Sequence, residues 1–158
     1  MKRIGFSVYT VEQTKQLLET YSPNLIQFPV SLFDQRFLTS GMIAEMSREN
    51  IALHARSIFL QGLLLALPNE LPAFALALSE KLVTLDKYAR QSNTTRLAFL
   101  MGFVQAISEL EAIVIGITSA MQLNEIIQAW HQAHYLDDFA SWSEQDADIL
   151  DPSKWKQS

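Results

Sequence analysis

The sequence contains no cysteine among its 158 residues. This absence excludes disulfides, zinc–thiolate sites, iron–sulfur clusters and thiol nucleophiles. Charged residues are also few, at 18%, whereas hydrophobic residues reach 49%. A chain of this composition has enough apolar surface to form a core, which excludes intrinsic disorder. Its length suits one domain of ordinary size.

Long apolar runs and an excess of basic residues are missing as well. The most apolar stretch, residues 58–67, contains Gln61 and is followed by Pro68, so it falls short of the roughly 20 residues that a membrane helix needs. The N-terminal run is interrupted by Ser7 and Thr10 and lacks the apolar core of a signal peptide. The net charge of −5 argues against general affinity for nucleic acid. We therefore expect a cytoplasmic protein with no nucleic-acid partner and no membrane partner.

Acidic residues are concentrated near the C-terminus. Residues 136–151 hold six Asp and Glu and no Lys or Arg, whereas the first 135 residues hold eleven acids against ten bases. The pattern predicts a nearly neutral body, residues 1–135, and an acidic tail, residues 136–158, packed on or near the surface. A solvated tail is the first interpretation, and an acidic tail that binds a partner is the alternative.

Alternation and apolar runs predict four β-strands, at residues 3–9, 25–30, 51–56 and 112–117. The last strand is continuous and β-branched, so it is expected to be buried on both faces. Capping residues and periodicity predict helices at residues 11–20, 35–49, 72–90, 94–107 and 118–131. Repeated strand–helix units imply an α/β fold with a parallel sheet, here four βα units with one extra helix.

Four segments follow one another with a recognisable order and spacing. They are residues 4–9 (IGFSVY), 25–29 (LIQFP), 55–64 (ARSIFLQGLL) and 115–119 (IGITS). Together they resemble the second half of the aldo/keto reductases, and residues 150–155 (LDPSKW) are similar to the end of some bacterial members. The resemblance implies half of a (β/α)₈ TIM barrel, with strands equivalent to the fifth to eighth, that binds NADP(H) at the carboxyl ends of its strands.

The same resemblance implies ten cofactor-binding residues. Positions that hold the nicotinamide amide and ring are matched by Ser7, Gln27 and Arg56. The loop that passes over the pyrophosphate is matched by Ser57, Phe59, Gln61 and Gly62. The loop and helix start near the adenosine phosphate are matched by Thr118, Ser119 and Gln122. A helix N-terminus and a glycine without Cβ both suit a phosphate.

The strand positions also have an interpretation without a cofactor. Ser7 and Gln27 suit the solvent-facing ends of strands. Arg56 suits a solvated strand end or a salt bridge to Asp34 or Glu49.

The loop positions have alternatives of the same kind. Residues 58–67 suit the core or an interface, and Thr118 and Ser119 suit a helix cap. The sequence also departs from the family pattern, because no basic residue lies between Thr118 and Gln122 to meet a 2′-phosphate. The Asn that often meets adenine is replaced by Ile126.

The family's catalytic Asp, Tyr, Lys and His lie on its first four strands, which would precede residue 1, so no catalytic residue is assigned. We expect an aldo/keto reductase-like protein that is not active alone and that binds NADP(H) weakly or not at all. One alternative is a subunit of a split NADPH-dependent carbonyl reductase that another chain completes. The other is a self-associating scaffold or binding protein that reuses the half-barrel.

A half-barrel has an open face and two unpaired edge strands. We expect that helices on the outer side cannot cover all seven apolar residues of these strands, namely Ile4, Phe6, Val8, Ile26, Phe28, Ile113 and Ile115. A large exposed apolar patch marks an interface. We therefore expect a homodimer, or a partner chain that supplies the complementary N-terminal half-barrel.

No metal site is predicted from the three histidines. His131 and His134 lie three residues apart near a helix end, but no third ligand is placed beside them, and the helix dipole favours histidine there. His54 lies in an apolar strand and is expected to be buried and hydrogen-bonded.

Overall fold

The protein, described here by a computed structural model for residues 3–135 and 138–155, is an α/β structure built on one parallel sheet. The four strands are β1 Gly5–Ser7, β2 Leu25–Pro29, β3 Ala52–Arg56 and β4 Leu110–Val114. They lie side by side in chain order, and every neighbouring pair is parallel. This order confirms the predicted parallel α/β class and is compatible with half of an eight-stranded barrel.

Helices connect the strands and follow the last one. The α-helices are α1 Val11–Thr20, α2 Arg36–Thr39, α3 Met42–Arg48, α4 Ser79–Gln91, α5 Arg96–Ala106, α6 Ala120–His131 and α7 Ala147–Leu150. Segments of 3₁₀ helix occupy Leu60–Leu65, Ala73–Leu78, Ala140–Trp142 and Pro152–Lys154, the first of them interrupted by a kink at Gln61 and Gly62. Within residues 3–135 and 138–155, no helix is long and apolar enough to cross a membrane.

Helix α1 begins where its capping residues predict. The Thr10 side chain accepts a hydrogen bond from the Gln13 backbone N–H at 3.1 Å, and the Gln13 side chain accepts one from the backbone N–H of Tyr9 at 2.8 Å. These two bonds satisfy donors that the first helical turn leaves free. Val11 and Thr14 are buried, so the first turn of α1 packs inward.

The helix predicted over residues 35–49 is two helices instead of one. Gly41 separates α2 from α3 with a φ of 76°, a left-handed conformation that glycine adopts without steric penalty. The helix predicted over residues 72–90 likewise begins as the 3₁₀ segment Ala73–Leu78 before α4. Helix α5 is capped by Thr95, whose side chain accepts from the Ala98 backbone N–H at 3.1 Å.

One face of the sheet is covered and carries the apolar residues of the central strands. Parallel register aligns Phe6 with Ile26 and Ile26 with Leu53, and one row further on it aligns Phe28 with Ala55. The four residues of β2 and β3 in these rows are at most 1% exposed. Helices therefore cover this face, because a parallel sheet buries its strands under its crossover connections.

The prediction of an uncovered apolar sheet face is therefore wrong for most of its residues. Val8, Ile26 and Phe28 are fully buried, while Phe6, Ile113 and Ile115 are partly buried against the core. Of the seven, Ile4 is exposed, at 60%. The alternation of a strand distinguishes two faces but does not say which face the helices will cover.

Strand β4 differs from its prediction in position and burial. It spans Leu110–Val114 rather than residues 112–117, because its partner β3 ends at Arg56, which aligns with Val114. It is not buried on both faces, since Glu111 and Val114 are exposed and its other residues are half-buried. A β-bulge between Leu53 and His54 interrupts the register with β3.

The C-terminal segment, residues 138–155, is held by aromatic and aliphatic contacts, unlike a freely solvated tail. Trp142 stacks on Phe33 with ring centroids 6.4 Å apart, and Ile149 and Leu150 are 2% exposed. The buried Gln35 side-chain amide donates to the backbone carbonyl of Phe139 at 2.6 Å.

The acidic side chains of this segment stay at its surface. Asp138, Asp146 and Asp148 are exposed, while Glu144 and Asp151 are half-buried, and Asp137 lies outside the described residues. The segment therefore combines an apolar inner side with an acidic outer side.

Lys81 on α4 binds the C-terminal segment through an ion pair and a hydrogen bond. Its Nζ lies 2.9 Å from both the Glu144 carboxylate and the Ser143 carbonyl oxygen. Partial burial by itself raises the pKa of Glu144, but hydrogen bonds from Lys81 and from the backbone N–H groups of Asp146 and Gln145 together hold that pKa below its ordinary value.

Replacing Gly102 by alanine is expected to destabilise the protein by about 1–3 kcal/mol. A Cβ at this α5 position would overlap the backbone carbonyl of His134, which cannot move aside without disturbing the chain after α6. Urea unfolding followed by circular dichroism measures the loss. Gly116→Ala is the matched control, because no atom lies within 4 Å of its Cβ position, and an equal loss there would contradict the packing argument.

Glu144→Gln is expected to reduce the free energy of unfolding at pH 7 by about 1 kcal/mol. The native-state pKa of Glu144 is lowered, so its stabilisation is present above the ordinary Glu pKa of about 4.3 and is lost as the pH falls through the lower native value. The difference between the two proteins should therefore shrink as the pH falls below about 4.3. Unfolding at pH 7, 5 and 3, followed by tryptophan fluorescence, measures it.

The control for this pH series is Glu19→Gln, on the exposed surface of α1. It removes the same charge away from the C-terminal segment. A pH-independent loss in Glu144→Gln, or an identical pH profile in Glu19→Gln, would contradict the assigned role of the Lys81 contact.

Candidate functional site

A cleft of about 760 Å³ lies between the loop after β3 and the loop that leads from β4 into α6. Both loops leave the carboxyl ends of parallel strands, where α/β folds place their ligand sites. Six of the ten predicted cofactor residues line it, namely Ser57, Phe59, Gln61, Gly62, Thr118 and Gln122. The structure therefore brings the predicted pyrophosphate loop and residues predicted to lie near the adenosine phosphate to one cavity.

The remaining lining is mainly aliphatic. It comprises Ile58, Leu65, Leu97, Val114, Ile115, Gly116, Ile117, Glu125 and Ile126. Predominantly apolar walls with a few convergent polar groups are typical of small-molecule sites. Glu125 is the one ionisable residue among the cleft-lining residues that the structure describes.

The loop after β3 has an unusual backbone. Ser57, Leu60 and Gln61 have φ angles of 56°, 47° and 54°, and Gly62 has a φ of 92°. Left-handed conformations are rare outside glycine and persist only where the surroundings hold them. Nothing lies within 4 Å of the Cβ position of Gly62, so its backbone is open toward the cleft side of the loop.

Arg96, at the start of α5, holds this loop in place. Its Nη1 donates to the carbonyl oxygens of Leu64 at 3.1 Å and Ala66 at 2.7 Å, while its Nε donates to Asp86 at 2.7 Å. The Arg96 side chain is only 11% exposed. A planar guanidinium that serves three acceptors at once fixes their relative positions, so the strained loop is tied to both α4 and α5.

The start of α6 forms a closed set of polar contacts on the other side of the cleft. Ser119 is the N-cap and accepts from the Gln122 backbone N–H at 3.2 Å. The Gln122 side-chain oxygen accepts from the Thr118 backbone N–H at 2.8 Å and from its hydroxyl at 3.0 Å. The helix-cap interpretation of Ser119 is thereby confirmed. Ser119 itself is not among the residues that line the cleft.

Ser7, Gln27 and Arg56 form a second group on the open face of the sheet. Ser7 Oγ lies 3.4 Å from Gln27 Oε1, in a register that aligns the two residues. Arg56 donates to the Val8 carbonyl oxygen at 2.9 Å, and its guanidinium lies 4.3 Å from the centroid of the Tyr9 ring. This contact is a cation–π interaction.

Arg56 does not make the salt bridge that the sequence allowed. Asp34 pairs with Arg36 instead, with 2.8 Å between the carboxylate and the guanidinium. Arg56 Nη1 lies 3.3 Å from Ser57 Oγ, so it connects the open-face group to the loop that borders the cleft. Its Nε is buried without a hydrogen-bond partner in the described structure.

His54 lies on the same open face and differs from its prediction. Its Nε2 is buried without a hydrogen-bond partner, at 3.8 Å from Glu111 Oε1. Among residues 3–135 and 138–155, no three His, Asp or Glu side chains are grouped to hold a metal ion.

A second cleft, of about 750 Å³, lies away from the predicted residues. It is bordered by α4, α5 and the C-terminal segment, with Lys81, Tyr88, His134 and Trp142 in its walls. It contains none of the ten predicted cofactor residues.

Sequence reasoning missed Arg96, Glu125 and Tyr9 as residues of the site. Arg96 follows a capping threonine and carries no sequence signal of its long-range contacts. Glu125 lies three residues after Gln122, on a helix whose start was assigned to the site, so helical spacing identifies it in retrospect. Tyr9 is the last residue of the segment that contains Ser7, but its contact with Arg56 depends on the pairing of three strands.

Comparison with known proteins adds no assignment to this geometry. No protein-family model matches the chain, and no curated protein matches it significantly.

Proposed function

We propose that this chain is an aldo/keto reductase-like half-barrel that binds NADP(H) weakly in the cleft between the β3 loop and α6 and does not catalyse hydride transfer alone. The observation that supports binding is the cleft itself. Residues 57–62 and residues 118–122 are almost 60 positions apart in the sequence. Members of both segments border one cavity.

The cleft fits a dinucleotide in size and in wall chemistry. Ligand pockets have volumes of about 300–1,000 Å³, and this one holds about 760 Å³. The aliphatic walls suit the flat face of adenine. A helix N-terminus carries the positive end of a helix dipole, which favours a phosphate, and Thr118 and Gln122 at the start of α6 border the cleft.

The charge of the cleft sets a limit on that affinity. Its lining holds Glu125 and, among the described residues, no Lys or Arg. A carboxylate near a 2′-phosphate or pyrophosphate is repulsive, and the local field is stronger in a cleft than in open water. The residues present therefore fit an adenosine and a backbone-bound phosphate better than they fit a 2′-phosphate.

We propose that the chain does not catalyse hydride transfer alone because of the surroundings of Tyr9, whose ring contacts Arg56 of the open-face group. Reduction of a carbonyl needs a proton donor beside the nicotinamide. Tyr9 packs its ring under the Arg56 guanidinium, and no hydrogen bond joins its hydroxyl to another described residue. Bound NADPH would supply the hydride, and another chain would have to supply the donor.

The second candidate is a subunit of a split NADPH-dependent reductase. It is favoured by the open face, where Ser7, Gln27 and Arg56 point away from the covered core. In a closed barrel this face would be the interior. A complementary chain that adds strands at both edges would place its own residues opposite these three.

NADPH is expected to bind with a dissociation constant on the order of 0.1–1 mM. Gly116→Phe should abolish binding because its side chain would occupy the cleft, where the Cβ position has no neighbour within 4 Å. Gly116→Ala is the matched control and should bind as the native protein does. Isothermal calorimetry and NADPH fluorescence measure binding. No binding by the native chain at several millimolar would contradict the proposal and favour a scaffold.

Glu125→Lys is expected to tighten NADPH binding by about five- to twentyfold at low ionic strength, because a repulsive charge is replaced by an attractive one. The gain should shrink as salt is added. Glu12→Lys, on α1, makes the same change in net charge outside the cleft and serves as the control. Equal gains in both variants would show attraction to the whole protein and would contradict binding in this cleft.

A further inference from the structure

We propose that two copies of this chain associate edge to edge, with β4 of each copy pairing in parallel with β1 of the other, so that eight strands close into one barrel-like sheet. The inference does not depend on the cofactor cleft. It rests on the two sheet edges, on the surfaces beside them and on their charges.

Both outer strands present free backbone hydrogen-bonding groups. In the described sheet β1 pairs only with β2, and β4 pairs only with β3. Open edges are templates for pairing with another strand, and closure into a barrel removes them altogether. Two copies with four strands each supply the eight strands that such a closed sheet of small diameter requires.

The side of the molecule next to β4 is apolar and uncovered. On α6, Leu123 is 38% exposed, Ile127 45% and Trp130 39%, at a spacing that places all three on one side of the helix, whereas Ala129 is the one buried residue of that helix. Val114, at the end of β4, is 43% exposed. Single exposed apolar residues are ordinary, but a set along one helix and its adjoining strand marks an interaction surface.

The side next to β1 has a smaller apolar surface. Ile4 is 60% exposed and Tyr21 is 57% exposed. Tyr21 follows the end of α1 and packs against Phe6 with ring centroids 5.6 Å apart. The two sides therefore offer apolar contacts to each other when β1 of one copy lies beside β4 of the next.

The two edges also carry opposite charges. Arg3 lies two residues before the first residue of β1, and Glu111 lies within β4. Within one copy the two side chains meet, with Arg3 Nη1 2.6 Å from Glu111 Oε1. A second copy would exchange this pair for two pairs between chains.

Edge pairing fits the open face better than face-to-face packing does. The open face carries the polar side chains of Ser7, Gln27, His54 and Arg56. Two such faces pressed together would desolvate polar groups without new partners. Edge pairing also satisfies the free backbone groups of β1 and β4, which face-to-face packing leaves open.

The experiment is sedimentation velocity and native mass spectrometry of the purified chain at about 20 µM, where a dimer with a micromolar or lower dissociation constant is the expected species. Ile127→Glu should raise the dissociation constant at least tenfold, because it places a charge on the apolar side of α6. Val83→Glu is the matched control, since Val83 is 50% exposed on α4, and it should leave the dimer intact.

A charge-exchange experiment tests the proposed seam directly. Arg3→Glu alone and Glu111→Arg alone should each weaken the dimer, because like charges then meet at both seams. An equimolar mixture of the two variants should restore it as a heterodimer, since each seam regains one acid and one base.

A monomer at 20 µM would overturn the proposal. A native dimer that both charge variants leave unchanged would overturn the seam and indicate face-to-face packing. A chain that stays monomeric but closes a stable complex with a separately expressed set of complementary strands would overturn it in favour of a partner chain.

Discussion

The fold depends on the one-sided cover of a four-stranded parallel sheet. Register places Phe6, Ile26 and Leu53 in one row toward the helices, and it places Ser7, Gln27 and His54 in the next row toward the open face. Burial of the first row drives folding, since about 25 cal/mol is gained for each Å² of apolar surface removed from water. The second row cannot form a core of its own, so the polar open face, the cleft at the strand ends and the two free edges all follow from this single division of the sheet.

Local signals in the sequence predicted the elements well, and tertiary contacts decided the rest. Thr10 and Ser119 cap α1 and α6 through side-chain bonds within three residues, which a sequence pattern can encode. The end of β4 at Val114 depends on where its neighbour stops, and the apolar residues 115–117 leave the sheet despite their strand-like composition. The covered face could not be predicted either. Alternation of apolar and polar residues defines two faces of a strand, but it does not determine on which side of the sheet the helices pack.

The candidate site, too, was predicted only in part from the sequence. The family resemblance named Ser57 and Thr118, and the structure places both at one cleft. It could not indicate that Arg96 would tie the β3 loop to α5, because that contact joins carbonyl oxygens about 30 residues away. Nor could it indicate Glu125, whose charge matters only because the walls around it are aliphatic. Residues that the resemblance named thus line one cavity, whose electrostatic character comes from side chains that no motif contains.

The buried amide of Gln35 connects the loop after β2 to the C-terminal segment. Its nitrogen donates to the carbonyl oxygens of Leu32, at 2.8 Å, and Phe139, at 2.6 Å, so one of its two hydrogen-bond acceptors comes from a residue 104 positions further on. Leaving a buried donor without its acceptor costs about 1–3 kcal/mol. During synthesis, the loop that follows β2 therefore cannot reach its final state when the second strand emerges from the ribosome. The loop can reach its final hydrogen-bonding state only after residue 139 has been made, so its completion depends on a contact between distant parts of the sequence.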